Sequence, residues 1–271
     1  MLEPTSPRDA PQRVRPPMLG GLSRVPEITA YFWIIKVLTT GMGESTSDYL
    51  VHTLGPPAAV LIGAAAFAAG LLSQLQAGRY AAWRYWFAVA MVGVFGTMAA
   101  DVLHVGLGIP YVVSTTFYAV VLTLVFVTWQ RSEGTLSIHS ILTRRRELFY
   151  WAAVLATFAL GTAAGDMTAR TLGLGYLGSG VMFAALLAVP AIAYRRFAMD
   201  PILAFWFAYI VTRPLGASFA DWMSVSHARG GLGLGYGTVS LLLAVLIVGF
   251  VAYLASSRID VAAPESAPAV D

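Results

Sequence analysis

The chain has 271 residues, of which 58% are hydrophobic and only 11% are charged, and its mean hydropathy is +0.71. This number of charged side chains is too small to cover the surface of a water-soluble protein. The composition therefore excludes a soluble globule and predicts an integral membrane protein. The absence of cysteine excludes disulfides, zinc–thiolate sites and thiol redox chemistry.

Residues 1–24 are rich in Pro and Arg and lack the apolar stretch of a secretory signal, which predicts a disordered cytoplasmic tail. Apolar runs follow, each about 20 residues long and therefore able to cross ~30 Å of hydrocarbon as an α-helix. The eight runs span residues 29–49, 58–76, 85–103, 111–129, 148–169, 177–194, 202–223 and 238–255. Residues 256–271 predict a second disordered cytoplasmic tail. The expected fold is an all-α membrane protein whose transmembrane domain covers residues 25–255.

The basic residues are distributed unevenly along the chain. Thirteen of the seventeen fall in the tails and in alternate loops, whereas the opposite loops hold only Arg170 and Arg229. Lys and Arg in short loops are retained in the cytoplasm, so both termini are expected there. The net charge of +3 therefore reflects topology and predicts no nucleic-acid partner.

The odd-numbered runs share one pattern: an aromatic residue, Trp, nine residues, Gly, four residues, Asp. The copies are Phe32, Trp33, Gly43 and Asp48; Tyr85, Trp86, Gly96 and Asp101; Tyr150, Trp151, Gly161 and Asp166; Phe205, Trp206, Gly216 and Asp221. Internal duplication explains four gap-free copies better than chance does. The predicted repeats are residues 25–76, 80–129, 147–194 and 201–255. Each contains two helices, so all four enter the membrane in the same direction, as parallel repeats arranged either fourfold or as two halves.

Two positions of the pattern indicate helix packing. A small residue stands four positions after each motif Gly, and such pairs let helix backbones approach closely. Gly43, Gly96, Gly161 and Gly216 are therefore expected to pack the odd helices into an inner ring. The motif Trp residues are expected at the headgroup interface, where Trp is enriched in membrane proteins.

Acidic residues in the odd runs are the candidate functional groups. They are Glu44, Asp48, Asp101, Asp166 and Asp221. An ionisable group in the bilayer costs about 2.5–3.5 kcal/mol on insertion scales, so repeated carboxylates require partners, water or an ion. A convergent polar site is one interpretation, and a set of helix-end caps near the headgroups is the other.

Four other polar residues are candidate counter-ions or relays. Lys36 and Arg213 are the basic residues inside the predicted spans, although Lys36 could also snorkel to the inner face. His52 and His104 follow Asp48 and Asp101 by four and three residues, so each pair shares a helix face. Proton relay or metal ligation is one interpretation of the histidines, and exposed loop positions are the other.

Three segments resemble a known family. VPEITAYFWIIKVLTTGMGESTSDYL at 25–50, GTAAGDMTARTLGLGY at 161–176 and RPLGASFADW at 213–222 are similar to an uncharacterised group of bacterial multi-pass membrane proteins built from tandem copies of a short repeat of unknown function. The resemblance implies the bacterial inner membrane and four tandem repeats, but no substrate.

The sequence leaves two functional hypotheses. The first is a transporter or channel for a small cation, and the all-oxygen candidate ligands favour protons or hard divalent ions such as Mn²⁺ or Mg²⁺. The second is a membrane scaffold or sensor whose Asp residues only fasten helices. No catalytic motif is present, so neither an enzyme nor a cofactor is expected. The expected partners are the lipid bilayer and a small cation, and the oligomeric state is left open.

Overall fold

Eight long helices form the protein in the computed structural model, which describes residues 23–261. They are α1 (Ala30–Leu54), α2 (Pro56–Ala77), α3 (Ala82–Asp101), α4 (Tyr111–Glu133), α5 (Arg144–Asp166), α6 (Gly175–Phe197), α7 (Pro201–Ser224) and α8 (Tyr236–Ser257). No strand occurs in this part of the chain, which confirms the all-α fold class. Most of the predicted tails, residues 1–22 and 262–271, lie outside the described residues.

Seven helices, α2 to α8, are long and apolar enough to cross a membrane by length and composition, and a chain with so many is built as a membrane protein. In two of them the crossing stretch includes a π-helical turn: Val102–Gly106 continues α3, and Met167–Thr171 continues α5. α1 is equally long but carries Lys36, Glu44 and Asp48.

Local signals in the sequence fix several helix boundaries. The Thr29 and Thr143 hydroxyls accept hydrogen bonds from the first turns of α1 and α5, and the Asp200 carboxylate does the same for α7. Pro201 then occupies the first turn of α7, where its missing N–H is not needed. Gly78 and Gly134 follow α2 and α4 with φ of 69° and 74°, a left-handed conformation that favours glycine.

Each even-numbered helix packs against the odd-numbered helix that follows it, and α8 packs against α1. The odd helices also contact one another, in the pairs α1–α3, α3–α5, α5–α7 and α1–α7. More than half of the most apolar stretch is buried in α3, α5 and α7, against less than a third in α2, α4, α6 and α8. The even helices therefore expose the apolar surface that lipid covers.

The motif glycines allow the odd helices to approach closely. A Cβ on Gly43 would lie 2.8 Å from the Gly93 Cα of α3, and one on Gly96 would lie 2.7 Å from the Phe158 Cβ of α5. The other two follow the same order around the bundle: Gly161 faces Arg213 and Pro214 of α7, and Gly216 faces Val37 and Thr40 of α1. Each motif Gly thus faces the next odd helix, and the fourth faces the first.

The motif Trp residues were expected to face the lipid headgroups, but most of them are buried between helices. Trp86, Trp151 and Trp206 are almost fully buried, and Trp33 is half-buried. They pack in an aromatic cluster of Phe32, Trp33, Tyr85, Trp86, Tyr150, Trp151, Phe205, Trp206 and Tyr209. The Tyr85 and Tyr150 hydroxyls share a hydrogen bond within it. Rings from neighbouring odd helices bury one another, so the interface prediction is wrong for the three buried Trp residues.

A partly buried polar contact joins the segment after α8 to the loop before α3 and to the segment before α1. The Tyr80 hydroxyl donates to Asp260 Oδ2, and the Glu27 N–H donates to the Asp260 carbonyl at 2.9 Å. Burial raises the pKa of Asp260 above its usual value, although the Tyr80 hydrogen bond opposes that shift.

Candidate functional site

All five predicted carboxylates line one cavity of about 400 Å³. We call it the carboxylate cavity; its acidic residues are Glu44, Asp48, Asp101, Asp166 and Asp221. They come from the four odd-numbered helices, at or one turn beyond the motif Gly positions. The arrangement is the convergent site that the repeat predicts, rather than a set of separate helix caps.

One side of the cavity combines two carboxylates with a histidine. His104 Nε2 lies 2.9 Å from Asp101 Oδ1 and 3.4 Å from Asp166 Oδ2. Arg170 Nε lies 3.3 Å from Asp166 Oδ1, and Arg170 Nη1 donates to the Tyr111 hydroxyl at 2.7 Å. His104 and Arg170 both belong to the π-helical turns that directly follow Asp101 and Asp166. π-helical turns are common at functional sites.

The two predicted histidines have different environments. His104 is buried between the two carboxylates, so the exposed-loop interpretation is wrong for it. His52 is exposed at the rim, where its Nδ1 lies 2.7 Å from the Asp48 carbonyl oxygen and its ring stacks on Tyr236. His52 therefore contacts the Asp48 backbone rather than its carboxylate.

A buried ion pair extends from the cavity into the bundle through Glu44. Arg213 Nη2 lies 2.7 Å from Glu44 Oε2, and both side chains are almost fully buried. The same guanidinium donates to the Thr40 carbonyl at 2.9 Å and to the hydroxyls of Thr97 and Thr162. Arg213 of α7 therefore joins α1, α3 and α5 at one point, and it is a counter-ion as predicted.

Thr97 and Thr162 are site residues that the sequence reasoning missed. Each directly follows a motif Gly, at the position that Glu44 holds in the first repeat. Thr97 also donates to Glu44 Oε2 at 3.3 Å. Comparison of the residue after each motif Gly, rather than of acidic residues alone, would have revealed them.

Lys36 lies deeper in the bundle and contacts no carboxylate. Its side chain is 1% exposed, so it does not snorkel to a surface. The ammonium lies 4.0 Å from the ring centroids of Phe158 and Tyr209, and no hydrogen-bond partner is found among residues 23–261. The counter-ion prediction is therefore wrong for Lys36, whose amino group faces two aromatic rings instead.

The remaining carboxylates, Asp48 and Asp221, have no partner among the described residues: neither side chain accepts a hydrogen bond or forms an ion pair. Asp221 lacks a partner although only 8% of its surface is exposed, and Asp48 is half-buried at the cavity surface. Carboxylate oxygens of Glu44, Asp48 and Asp221 lie within 4.8 Å of one another, and ligand atoms of Asp101, His104 and Asp166 do the same. The cavity thus contains two possible ligand groups with different internal pairing.

A protein-family model described as Repeat of Unknown Function (DUF347) matches the chain four times in tandem, at residues 31–80, 84–135, 149–199 and 204–260. The chain belongs to this family. Each DUF347 match contains one odd helix and the even helix after it, and the predicted family of tandem repeats is confirmed. No curated protein and no solved structure shows significant similarity to the chain. The Asp of the repeated pattern occupies the same position in each match, and the four copies converge on one cavity.

Proposed function

We propose that this DUF347 protein is a carrier for a small cation, either a proton or a hard divalent ion such as Mn²⁺ or Mg²⁺, in the bacterial inner membrane. The single observation that carries the proposal is the convergence of five carboxylates from four helices on one cavity. An ionised side chain within a bilayer costs about 2.5–3.5 kcal/mol on insertion scales, so five in one place require compensating positive charge.

The proposed arrangement has four parallel repeats around an axis along the membrane normal, with α1, α3, α5 and α7 as an inner ring. The motif glycines favour fourfold over twofold order, because their contacts run from each odd helix to the next and from α7 back to α1. α1 crosses the membrane as well, since Lys36 and Glu44 are buried between helices and away from lipid. Both termini are cytoplasmic, as the Arg bias favours, and the cavity opens on the opposite side.

Buried basic side chains beyond the carboxylates favour a carrier over an open pore. An ion leaving the cavity inward meets Arg213, then Lys36, and then the aromatic cluster. Arg213 and Lys36 both face the Phe158 ring, at 5.1 and 4.0 Å from its centroid. Repulsion between unit charges about 4 Å apart reaches several kcal/mol even at a moderate effective dielectric constant. Passage of the ion therefore requires these side chains to move, and a conformational change of the alternating-access type provides such a movement.

A scaffold or sensor is the second candidate, and one specific observation favours it. Glu44, Asp101 and Asp166 each have a local cationic partner, as carboxylates that only fasten helices would. Asp48 and Asp221 have none among residues 23–261, and a fastening role gives no reason to keep them acidic.

Ion flux in proteoliposomes separates the two candidates. Wild-type protein is expected to transport protons, Mn²⁺ or Mg²⁺, and Asp221→Asn is expected to abolish that flux, since Asn keeps the shape of Asp but not its charge. Asp200→Asn is the matched control, because Asp200 caps α7 outside the cavity and Asn caps equally well. Folded wild-type protein that moves none of the three cations in either direction would support the scaffold instead.

A further inference from the structure

The geometry points to one divalent cation bound by Glu44, Asp48 and Asp221, with the Asp101–His104–Asp166 side of the same cavity as an internally compensated neighbour. This inference rests on the proposed function for the role of the bound ion as cargo. The cavity then has an ion-binding half and a half whose carboxylates are already paired, and the bound ion is divalent.

Charge distinguishes the two halves. In the first, three carboxylates face one guanidinium, that of Arg213, so two negative charges remain uncompensated when the acids are ionised. In the second, two carboxylates share His104 and Arg170. Arg229 lines the cavity too, but it forms no ion pair with any carboxylate in residues 23–261. Two uncompensated charges at one point favour a divalent over a monovalent cation.

Asp221 is a buried carboxylate without a partner among the described residues. Its side chain is more than nine-tenths buried and lines the cavity, yet no donor within the described part of the chain reaches its oxygens. Burying a carboxylate without a hydrogen bond or counter-ion is strongly unfavourable. Asp48 is likewise unpartnered there, and Glu44 keeps Oε1 free because Arg213 and Thr97 both contact Oε2.

The spacing of these oxygens fits one ion. They lie within 4.8 Å of one another. Opposing ligands of a bound cation are about 4–5 Å apart, since Mg–O and Ca–O distances are about 2.0–2.1 and 2.3–2.6 Å. Three carboxylates with no nitrogen or sulfur ligand select hard ions such as Mg²⁺, Mn²⁺ or Ca²⁺ over Cu²⁺ or Zn²⁺.

The other half already contains what a cation would supply. His104 Nε2 lies between Asp101 and Asp166, at the place where a metal ion shared by them would sit. Arg170 contacts the second oxygen of Asp166. An ion would have to displace both cations, whereas an ion at Asp48 and Asp221 displaces none.

Mn²⁺ binding to the purified full-length protein in detergent tests the assignment, with the loss of the free-Mn²⁺ electron paramagnetic resonance signal as the readout. Wild-type protein is expected to bind one Mn²⁺, in competition with Mg²⁺. Asp221→Asn and Asp48→Asn are each expected to weaken binding at least ~10-fold, because even indirect partners of metal ligands contribute 10–100-fold. Asp200→Asn is the matched control, because Asp200 caps α7 outside the cavity, and it is expected to retain the ion. Asp101→Asn and Asp166→Asn make the same change at the same repeat position and are expected to weaken binding less than Asp48→Asn and Asp221→Asn do.

Three results would overturn the assignment: no Mn²⁺ binding by folded wild-type protein, wild-type affinity in both Asp48→Asn and Asp221→Asn, or the strongest loss in Asp101→Asn and Asp166→Asn. If Asp221→Asn fails to fold by size-exclusion chromatography, Asp48→Asn decides, because its side chain is less buried. Mn²⁺ binding without flux would refute the carrier and leave the site standing. Flux without this binding would refute the site and leave the carrier standing.

Discussion

Replacement of Gly216 by Ala tests the close approach of α7 to α1. The added Cβ would clash with Thr40 Oγ1 and would lie 2.9 Å from the Val37 carbonyl oxygen. Val37 O belongs to the α1 backbone, so it cannot move aside without the helix. Rotation of Thr40 would break its hydrogen bonds to Val37 O at 2.6 Å and Thr212 O at 3.2 Å, the second of which joins the two helices.

The expected effect is the difference between two opposing contributions. Ala is favoured over Gly in a helix by about 1 kcal/mol. Overpacking costs about 1–3 kcal/mol, and a lost buried hydrogen bond adds about 1 kcal/mol. Gly216→Ala should therefore destabilise the protein by about 1–3 kcal/mol.

The control is Gly249→Ala in α8, where no heavy atom lies within 4 Å of the added Cβ. It should leave stability unchanged or raise it by up to about 1 kcal/mol. The assay is the fraction of protein that remains monodisperse in detergent after heating to a series of temperatures. If Gly216→Ala matched Gly249→Ala, the odd helices would not pack through their motif glycines and the inner ring would be refuted.

Three further predictions concern charge and topology. Arg213→Met should destabilise the protein by about 3–5 kcal/mol in thermal unfolding, because it leaves Glu44 buried without a counter-ion, and adding Glu44→Gln should restore part of the loss; equal stability of the single and double variants would contradict this pairing. The raised pKa of Asp260 means that its contribution to stability is largest below about pH 4 and is lost as the pH rises through the folded-state pKa, so Asp260→Asn should flatten the pH dependence of the melting temperature and Asp200→Asn should not. Reporter fusions should all give a cytoplasmic signal when they are made after Arg79, Arg131, Arg196 and Arg258. A periplasmic signal at any one of these sites would contradict the eight-span topology.

The helices and the convergence of the carboxylates could be predicted from sequence because both depend on short-range patterns. Continuous apolar runs predict spans, and the fixed distance from Gly to Asp predicts that four equivalent helices bring the acids to the same level. The repeat also indicated the motif glycines, whose contacts follow the order of the odd helices.

Other features depend on neighbours that a linear pattern does not contain. Lys36 faces Phe158 of α5 and Tyr209 of α7, more than 100 residues away in sequence, so its environment could not be predicted. The sequence does not distinguish a Trp that faces lipid headgroups from one that packs against another odd helix. The burial of Trp86 and Trp206 shows that they pack against other helices. The π-helical turn that carries His104 toward Asp166 has no signature in a sequence of apolar and small residues.

Tracer exchange by the wild-type protein tests the carrier proposal most directly. Proteoliposomes loaded with unlabelled Mn²⁺ should transiently accumulate radioactive Mn²⁺ from the outside medium, because a carrier exchanges ions one for one through a site that is open to one side at a time. Liposomes with Asp221→Asn should accumulate none. Wild-type tracer uptake no greater than that of protein-free liposomes, with Mg²⁺ and proton exchange equally absent, would contradict the account.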